Sequence, residues 1–253
     1  MTKLAIDTTS RGCSAALRYS GDCDLGTGSK PVYKSIERYD DIERGHAEII
    51  IGQLEDLSRE AQTSFQNISS IIVSVGPGSF TGVRVGVALA RGLSLANGAA
   101  LQGCYSTTLI ASVFNKQYLK NECNPSFGVE CGTRFLVVID AGRGQIYGQV
   151  FGRGEDLERI TDPLLIEQEM LQVFALENDV AGLVGPAAEK FKGLFKEGAK
   201  PCTLFFVDAG TSANDLFEVD ETLMIVGENV KPQYLRAPDA KPQSHKALAR
   251  RET

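Results

Sequence analysis

Residues 74–86 read SVGPGSFTGVRVG, and the way this stretch is read decides the fold of the first half of the chain. The apolar run SIIVSV (70–75) leads into it, a composition expected of a strand covered on both faces. Four glycines and a proline then fall within eleven residues. A helix begins near Ser79 or Thr81, and Asn97-Gly98 supplies the left-handed stop that ends it. The stretch is a sharp strand-to-helix turn. A phosphate-binding P-loop needs GxxxxGK[ST], and GPGSFTGVR has neither that spacing nor the lysine. In a dinucleotide fingerprint the third glycine would come one place before Gly82, and an acid would follow about 20 residues on. A nucleophile elbow, GxSxG, fails too, because Ser79 directly follows Gly78. What remains is a turn whose amides could receive an anion, and a helix carrying small residues at 82, 86 and 90. That four-residue spacing forms one stripe, which another element of this molecule or of a partner can approach closely.

Upstream, residues 3–8 and 13–19 read as two short strands joined by the turn TSRG, and KPVYKSIERY (30–39) as a third extended segment. From Gly45 the period becomes helical: Ile49, Ile50, Leu54 and Leu57 recur on one side, with Glu55, Asp56, Arg59 and Glu60 available for the other. The order is three strands, helix, strand, helix. Downstream, VIDAGRGQIYGQV (138–150) repeats AIDTTSRGCSAAL (5–17), aligning Asp7 with Asp140 and Arg11-Gly12 with Arg143-Gly144. Similarity at half the chain's length predicts two related lobes. The second continues with a helix over 165–177, a strand VAGLVG (180–185), a helix AAEKFKGLFKEG (187–198), a strand CTLFFV (202–207) and a helix SANDLFEV (212–219). The expected division is an N-terminal lobe over 1–115, an inter-lobe insert over 116–133, a C-terminal lobe over 134–238 and a basic tail over 239–253.

Composition sets bounds on function. The 253 residues are 43% hydrophobic and 23% charged, ordinary for an α/β protein. The net charge of −6 argues against unaided wrapping of a phosphate backbone. The charge is uneven, however: residues 61–121 contain no Asp or Glu but include Arg84, Arg91, Lys116 and Lys120. The amino terminus has neither a signal-peptide core nor a membrane span, so a cytoplasmic location is expected. Six cysteines without a CxxC pair read as reduced thiols, and no metal or other cofactor is expected. His46 opens the first helix with Ile50, not a second histidine, one turn on. Asp7 and Asp140 sit at strand ends facing small-residue turns. They either bond neighbouring amides or, with Thr8 and Thr9, form a vestigial nucleotide site.

LAIDTTS (4–10), GPGSFTGVRVGVALARGLSLANG (76–98), VIDAGRGQIYGQVF (138–151) and KPQYLR (231–236) together resemble the TsaB (YeaZ) family, in that family's order over nearly the whole chain. The resemblance implies a two-lobed actin-like and Hsp70-like fold of the ribonuclease H-like class with duplicated lobes. It also implies a part in making N6-threonylcarbamoyladenosine at position 37 of tRNAs, as a non-catalytic partner of the catalytic TsaD paralogue. A TsaE-like ATPase completes such a complex, tRNA is met only through it, no membrane is involved, and the lone subunit forms homodimers. Where TsaD carries an HxxxH metal pair, GCYSTTLIA (103–111) has Ser106 and Ile110. Pairing through the first two helices makes His46, Ile49, Ile50, Gln53, Leu54, Val83, Arg84, Gly86, Val87, Ala90 and Arg91 the expected partner surface. The alternatives are an independent ATPase or sugar-kinase-like enzyme of the same fold and, behind it, a peptidase.

Overall fold

The computed structural model describes residues 1–10, 12–20, 33–42, 45–119, 133–191 and 211–236. Strands β1 (Thr2–Asp7), β2 (Gly12–Ser20) and β3 (Tyr33–Asp41) form an antiparallel meander, with Asp7 opposite Ser14 and Cys13 opposite Asp40. Helix α1 (His46–Glu60) returns the chain to β4 (Ile68–Ser74), which runs parallel to β1. Helix α2 (Phe80–Asn97) then leads to β5 (Ala100–Cys104), parallel to β4, and α3 (Ser106–Leu119) follows. Helix α3 therefore extends into the stretch expected to be an inter-lobe loop.

The second half repeats the plan. Strands β6 (Arg134–Gly142) and β7 (Gln145–Gly152) form a hairpin, and β8 (Glu158–Arg159) and β9 (Leu164–Glu167) pair with β7. Helix α4 (Leu171–Glu177) precedes β10 (Val180–Val184), which lies parallel to β6 on the side away from β7. In both halves a hairpin thus takes a parallel strand on its first member: β4-β1-β2 in one sheet, β10-β6-β7 in the other. Helix α5 (Ala188–Phe191) and β11 (Ile225–Val226), which closes the first sheet against β5, complete the elements. This mixed α/β architecture has the duplicated plan that the sequence repeat predicts and that the family resemblance implies.

Strand alternation sorts the cores. Leu4, Ile6, Cys13, Ala15, Leu17, Ile71 and Val73 face α1 and α2, meeting Ile50, Leu54, Leu57, Val83, Val87 and Ala90. Their neighbours Ala5, Ala16 and Ile72 face the opposite side, with Leu109 of α3 and Ala213, Leu216 and Val219. Ile110, Ala111 and Phe114 of α3 pack on Phe135, Val137 and Phe151 of the second sheet, so α3 is the shared layer between the sheets. Leu136, Val138, Ile146 and Val150 cover the sheet's far face with Leu171, Ala175, Ala188 and Phe191.

Two further elements differ from expectation. The helix expected over 165–177 starts at Leu171; Leu164–Glu167 is a strand, because Ile166 pairs with Ile146 and fills the second core. Residues 213–218 form 3-10 turns rather than an α-helix, anchored where Ala213 N donates to Ser14 Oγ at 2.9 Å. The strand expected over 202–207 and the helix beyond Phe191 lie outside the described residues. No described helix is long and apolar enough to cross a membrane.

Candidate functional site

The glycine turn is built by close approach. Ser79 N donates to Thr9 O at 2.7 Å, Thr8 Oγ1 donates to Gly82 O at 2.7 Å, and Ser79 Oγ caps α2 by accepting from Gly82 N at 3.2 Å. A Cβ at Gly78 would lie 2.1 Å from Thr9 O, one at Gly82 1.8 Å from Thr8 O, and one at Gly86 2.4 Å from Thr8 Oγ1. These glycines let the start of α2 press onto the turn after β1. Gly98 ends the helix at φ 74°, as the sequence predicts.

Beside this turn lies a cleft of about 790 Å³, lined by Thr9, Ser10, His46, Ser79, Asp140 and Pro186 among others. Both aspartates of the repeat make the same local bond: Asp7 Oδ1 accepts from Thr9 N at 2.9 Å, and Asp140 Oδ1 accepts from Gly142 N at 2.8 Å. Turn formation is thus part of each residue's role. Their electrostatics differ. Burial pushes the Asp7 carboxyl above its ordinary range, partly opposed by the bonds from Thr9, which donates through Oγ1 at 2.7 Å as well. The bond from Lys190 Nζ, 2.6 Å from Asp140 Oδ2, holds Asp140 below its ordinary range. Thr8, by contrast, bonds the α2 backbone. Thr9, Ser74 and Ser106 form a closed triangle of hydroxyls at 2.9–3.2 Å, and Ile110 is buried in the α3 layer. His46 is buried at the start of α1, and among the described residues its Nε2 has no hydrogen-bond partner. Among the described residues no group of three or more His, Cys, Asp or Glu side chains could hold a metal ion.

The expected partner surface requires a correction. His46, Ile50, Gln53, Leu54, Val83, Gly86, Val87 and Ala90 are buried beneath α1 and α2, against the chain's own sheet. The small-residue stripe of α2 meets Thr8 and Ile6, not a free surface. Gln53 is committed as well, donating through Nε2 to Cys13 O at 2.9 Å and Asp40 Oδ2 at 2.6 Å. A helix lying on a sheet puts its smallest and most apolar stripe inward, which is why these positions looked suited to a contact. Ile49 is half-buried, and only Arg84 and Arg91 of the expected set are exposed; Arg91 Nη1 donates to Val230 O at 3.2 Å.

Apart from Arg84 and Glu55, the outward face is carried by residues that the sequence did not single out. On α1 the face comprises Ala47, Ile51, Gly52 and Glu55; on α2 it comprises Phe80, Arg84, Ala88, Gly92, Leu95 and Ala96. Leu95 is 89% exposed and Ile51 47%, and a Cβ at Gly52 or Gly92 would meet nothing within 4 Å. One signal was available: three consecutive isoleucines, 49–51, span more than half the circumference of a helix, so one must turn away from the core.

Comparisons with known proteins agree with this fold. Residues 40–240 match the family described as TsaD: tRNA N6-adenosine threonylcarbamoyltransferase. The tRNA threonylcarbamoyladenosine biosynthesis protein TsaB of Escherichia coli (strain K12) is 31% identical over 180 residues, covering 68% of each chain. The tRNA N6-adenosine threonylcarbamoyltransferase of Roseobacter denitrificans is 36% identical over 115 residues, or 40% of this chain and 30% of that one. The solved structure of YeaZ from Pseudomonas aeruginosa superposes with a TM-score of 0.66 at 20% identity, covering 92% of this chain and 99% of that one. With the duplicated sheets, the glycine turn and a relative of this similarity in agreement, the chain belongs to the TsaB (YeaZ) family.

Proposed function

We propose that this chain is a non-catalytic subunit of the machinery that makes N6-threonylcarbamoyladenosine at position 37 of tRNAs, docking through the outward face of α1 and α2 onto a TsaD-like threonylcarbamoyltransferase. The observation that carries the reading is that face: Ile51, Ala88 and Leu95 exposed beside the open backbone of Gly52 and Gly92, on an α2 free of acidic residues. Small and apolar side chains at four-residue spacing allow a second helix to lie close. A match to the transferase family over 40–240 supports a partner built on the same plan, so the contact pairs like with like. The same face would serve a homodimer of the lone subunit, and a TsaE-like ATPase joins the full complex.

The cleft supports the non-catalytic assignment. Ser106 and Ile110 present a bonded hydroxyl and a buried alkyl group, neither of which replaces an imidazole as a metal ligand. Co-expression with the TsaD-like subunit and co-purification test the proposal. Retention of the pair is expected, and its loss on Leu95→Asp with folding intact is the matching control. A second reading, an independent nucleotide-hydrolysing enzyme, is favoured by the cleft of about 790 Å³ between the two hairpin turns. Titration calorimetry with ATP and magnesium separates the two: turnover by the lone chain supports the enzyme.

A further inference from the structure

At the amino end of α2 two side chains one turn apart, Phe80 and Arg84, form an exposed cluster with Tyr234 from the distant carboxy-terminal stretch. The Arg84 guanidinium lies 3.7 Å from the Phe80 ring centroid and 5.3 Å from that of Tyr234. Arg84 Nε donates to the Tyr234 hydroxyl at 2.8 Å, and the two rings stand 5.6 Å apart. Among the described residues neither Nη group of Arg84 donates to anything. Tyr234 is itself fixed: Val230 is fully buried in the first core, and Gln233 N donates to Val75 O at 2.9 Å. Arg236 then reaches the β6–β7 hairpin, with Nη2 donating to Gly142 O at 3.0 Å. A long cation usually sacrifices rotamer freedom when it binds. Here that ordering precedes binding.

We propose that Phe80 and Tyr234 hold Arg84 as a preformed fork for a carboxylate side chain on the docking helix of the TsaD-like partner, making residues 230–236 part of the docking surface. The inference rests on the docking reading above. A guanidinium with Nε occupied and both Nη groups free matches a carboxylate. Residues 61–121 contain no acid, so an incoming carboxylate meets no like charge from this stretch. The surroundings favour protein over RNA: Ala88, Gly92 and Leu95 continue the same helix face, whereas phosphate binding needs several clustered cations and this chain carries −6. Arg84 makes the contact; Phe80 and Tyr234 are positioning residues.

The test is calorimetric titration of the full chain with the purified TsaD-like subunit at two salt concentrations, about 50 and 300 mM. Arg84→Ala is expected to weaken binding about tenfold and flatten its salt dependence, with Arg84→Gln as a second variant of similar shape. Tyr234→Phe keeps the ring, loses the hydroxyl and is expected to weaken binding about threefold. Adding it to Arg84→Ala should cost nothing more, whereas a merely structural tyrosine would add its loss independently. Wild-type affinity in Arg84→Ala and Tyr234→Phe, while Gly92→Trp abolishes the complex, overturns this inference and leaves the docking reading standing. Wild-type affinity in Gly92→Trp removes the docking reading and this inference with it. If Arg84→Ala instead weakens tRNA retention on filters with partner affinity unchanged, the guanidinium reads phosphate and the inference is overturned.

Discussion

Gly82 and Gly92 lie on one helix and on different faces of it, so alanine at each tests the orientation of α2 directly. At Gly82 the new Cβ would lie 1.8 Å from Thr8 O and 3.0 Å from Thr8 C, both backbone atoms of the turn after β1. Neither can rotate away. The helix must lift, straining a packed core at about 1–3 kcal/mol. The bond from Thr8 Oγ1 to Gly82 O, at 2.7 Å, is stretched with it and is worth about 1 kcal/mol. Destabilisation of about 3 kcal/mol follows, a fall in melting temperature of about 6–12 °C for a chain this size. At Gly92 nothing lies within 4 Å, and alanine gains about 0.5–1 kcal/mol of helix propensity. Its melting temperature should rise by about 1–4 °C. Differential scanning calorimetry of the two variants gives the comparison. A Gly82→Ala protein as stable as wild type, or a Gly92→Ala protein that melts lower, refutes the stated facing of the helix.

Asp7 gives a dependence on pH. Its folded pKa is raised above the ordinary 3.8 by burial, so the folded state binds more protons than the unfolded one above that value, and stability falls as pH rises through the folded pKa. Asp7→Asn keeps an acceptor for Thr9 and removes the titration; its melting temperature relative to wild type should climb as pH is raised from 4 towards 7. Asp140 has the opposite sign, its contribution being lost as pH falls below 3.8, but its 43% exposed side chain limits Asp140→Asn to below about 1 kcal/mol in chemical denaturation. Burial pushes the Cys13 and Cys104 thiols to about 11 and about 12, so peptide mapping after native alkylation at pH 8 should find both unmodified until the fold is opened. Leu95→Asp should leave the melting temperature of the lone chain within about 2 °C of wild type, since the side chain touches little of its own fold.

What could be read from sequence followed local chemistry. The repeated Asp with its small-residue turn was visible because an aspartate bonding the amide two residues on is a local device, and both copies form it. Asn97-Gly98 marked its helix end for the same reason. Ile166 misled because its strand identity depends on pairing with Ile146, which helical spacing cannot report. The facing of α2 was hidden because both sides of the helix carry small and apolar residues. Gly82, Gly86 and Ala90 face the sheet while Ala88, Gly92 and Leu95 face out. Composition alone cannot order the two stripes; the closeness of Thr8 does. The Arg84–Tyr234 bond joins residues 150 apart in sequence, and no periodicity predicts it.

Sedimentation velocity of the purified chain, mixed with its TsaD-like counterpart at about 10 µM each, tests the docking role most directly. The docking role requires a heteromeric boundary that disappears with Leu95→Asp and persists with Leu95→Met. Separate boundaries for the two wild-type proteins at that concentration would contradict it.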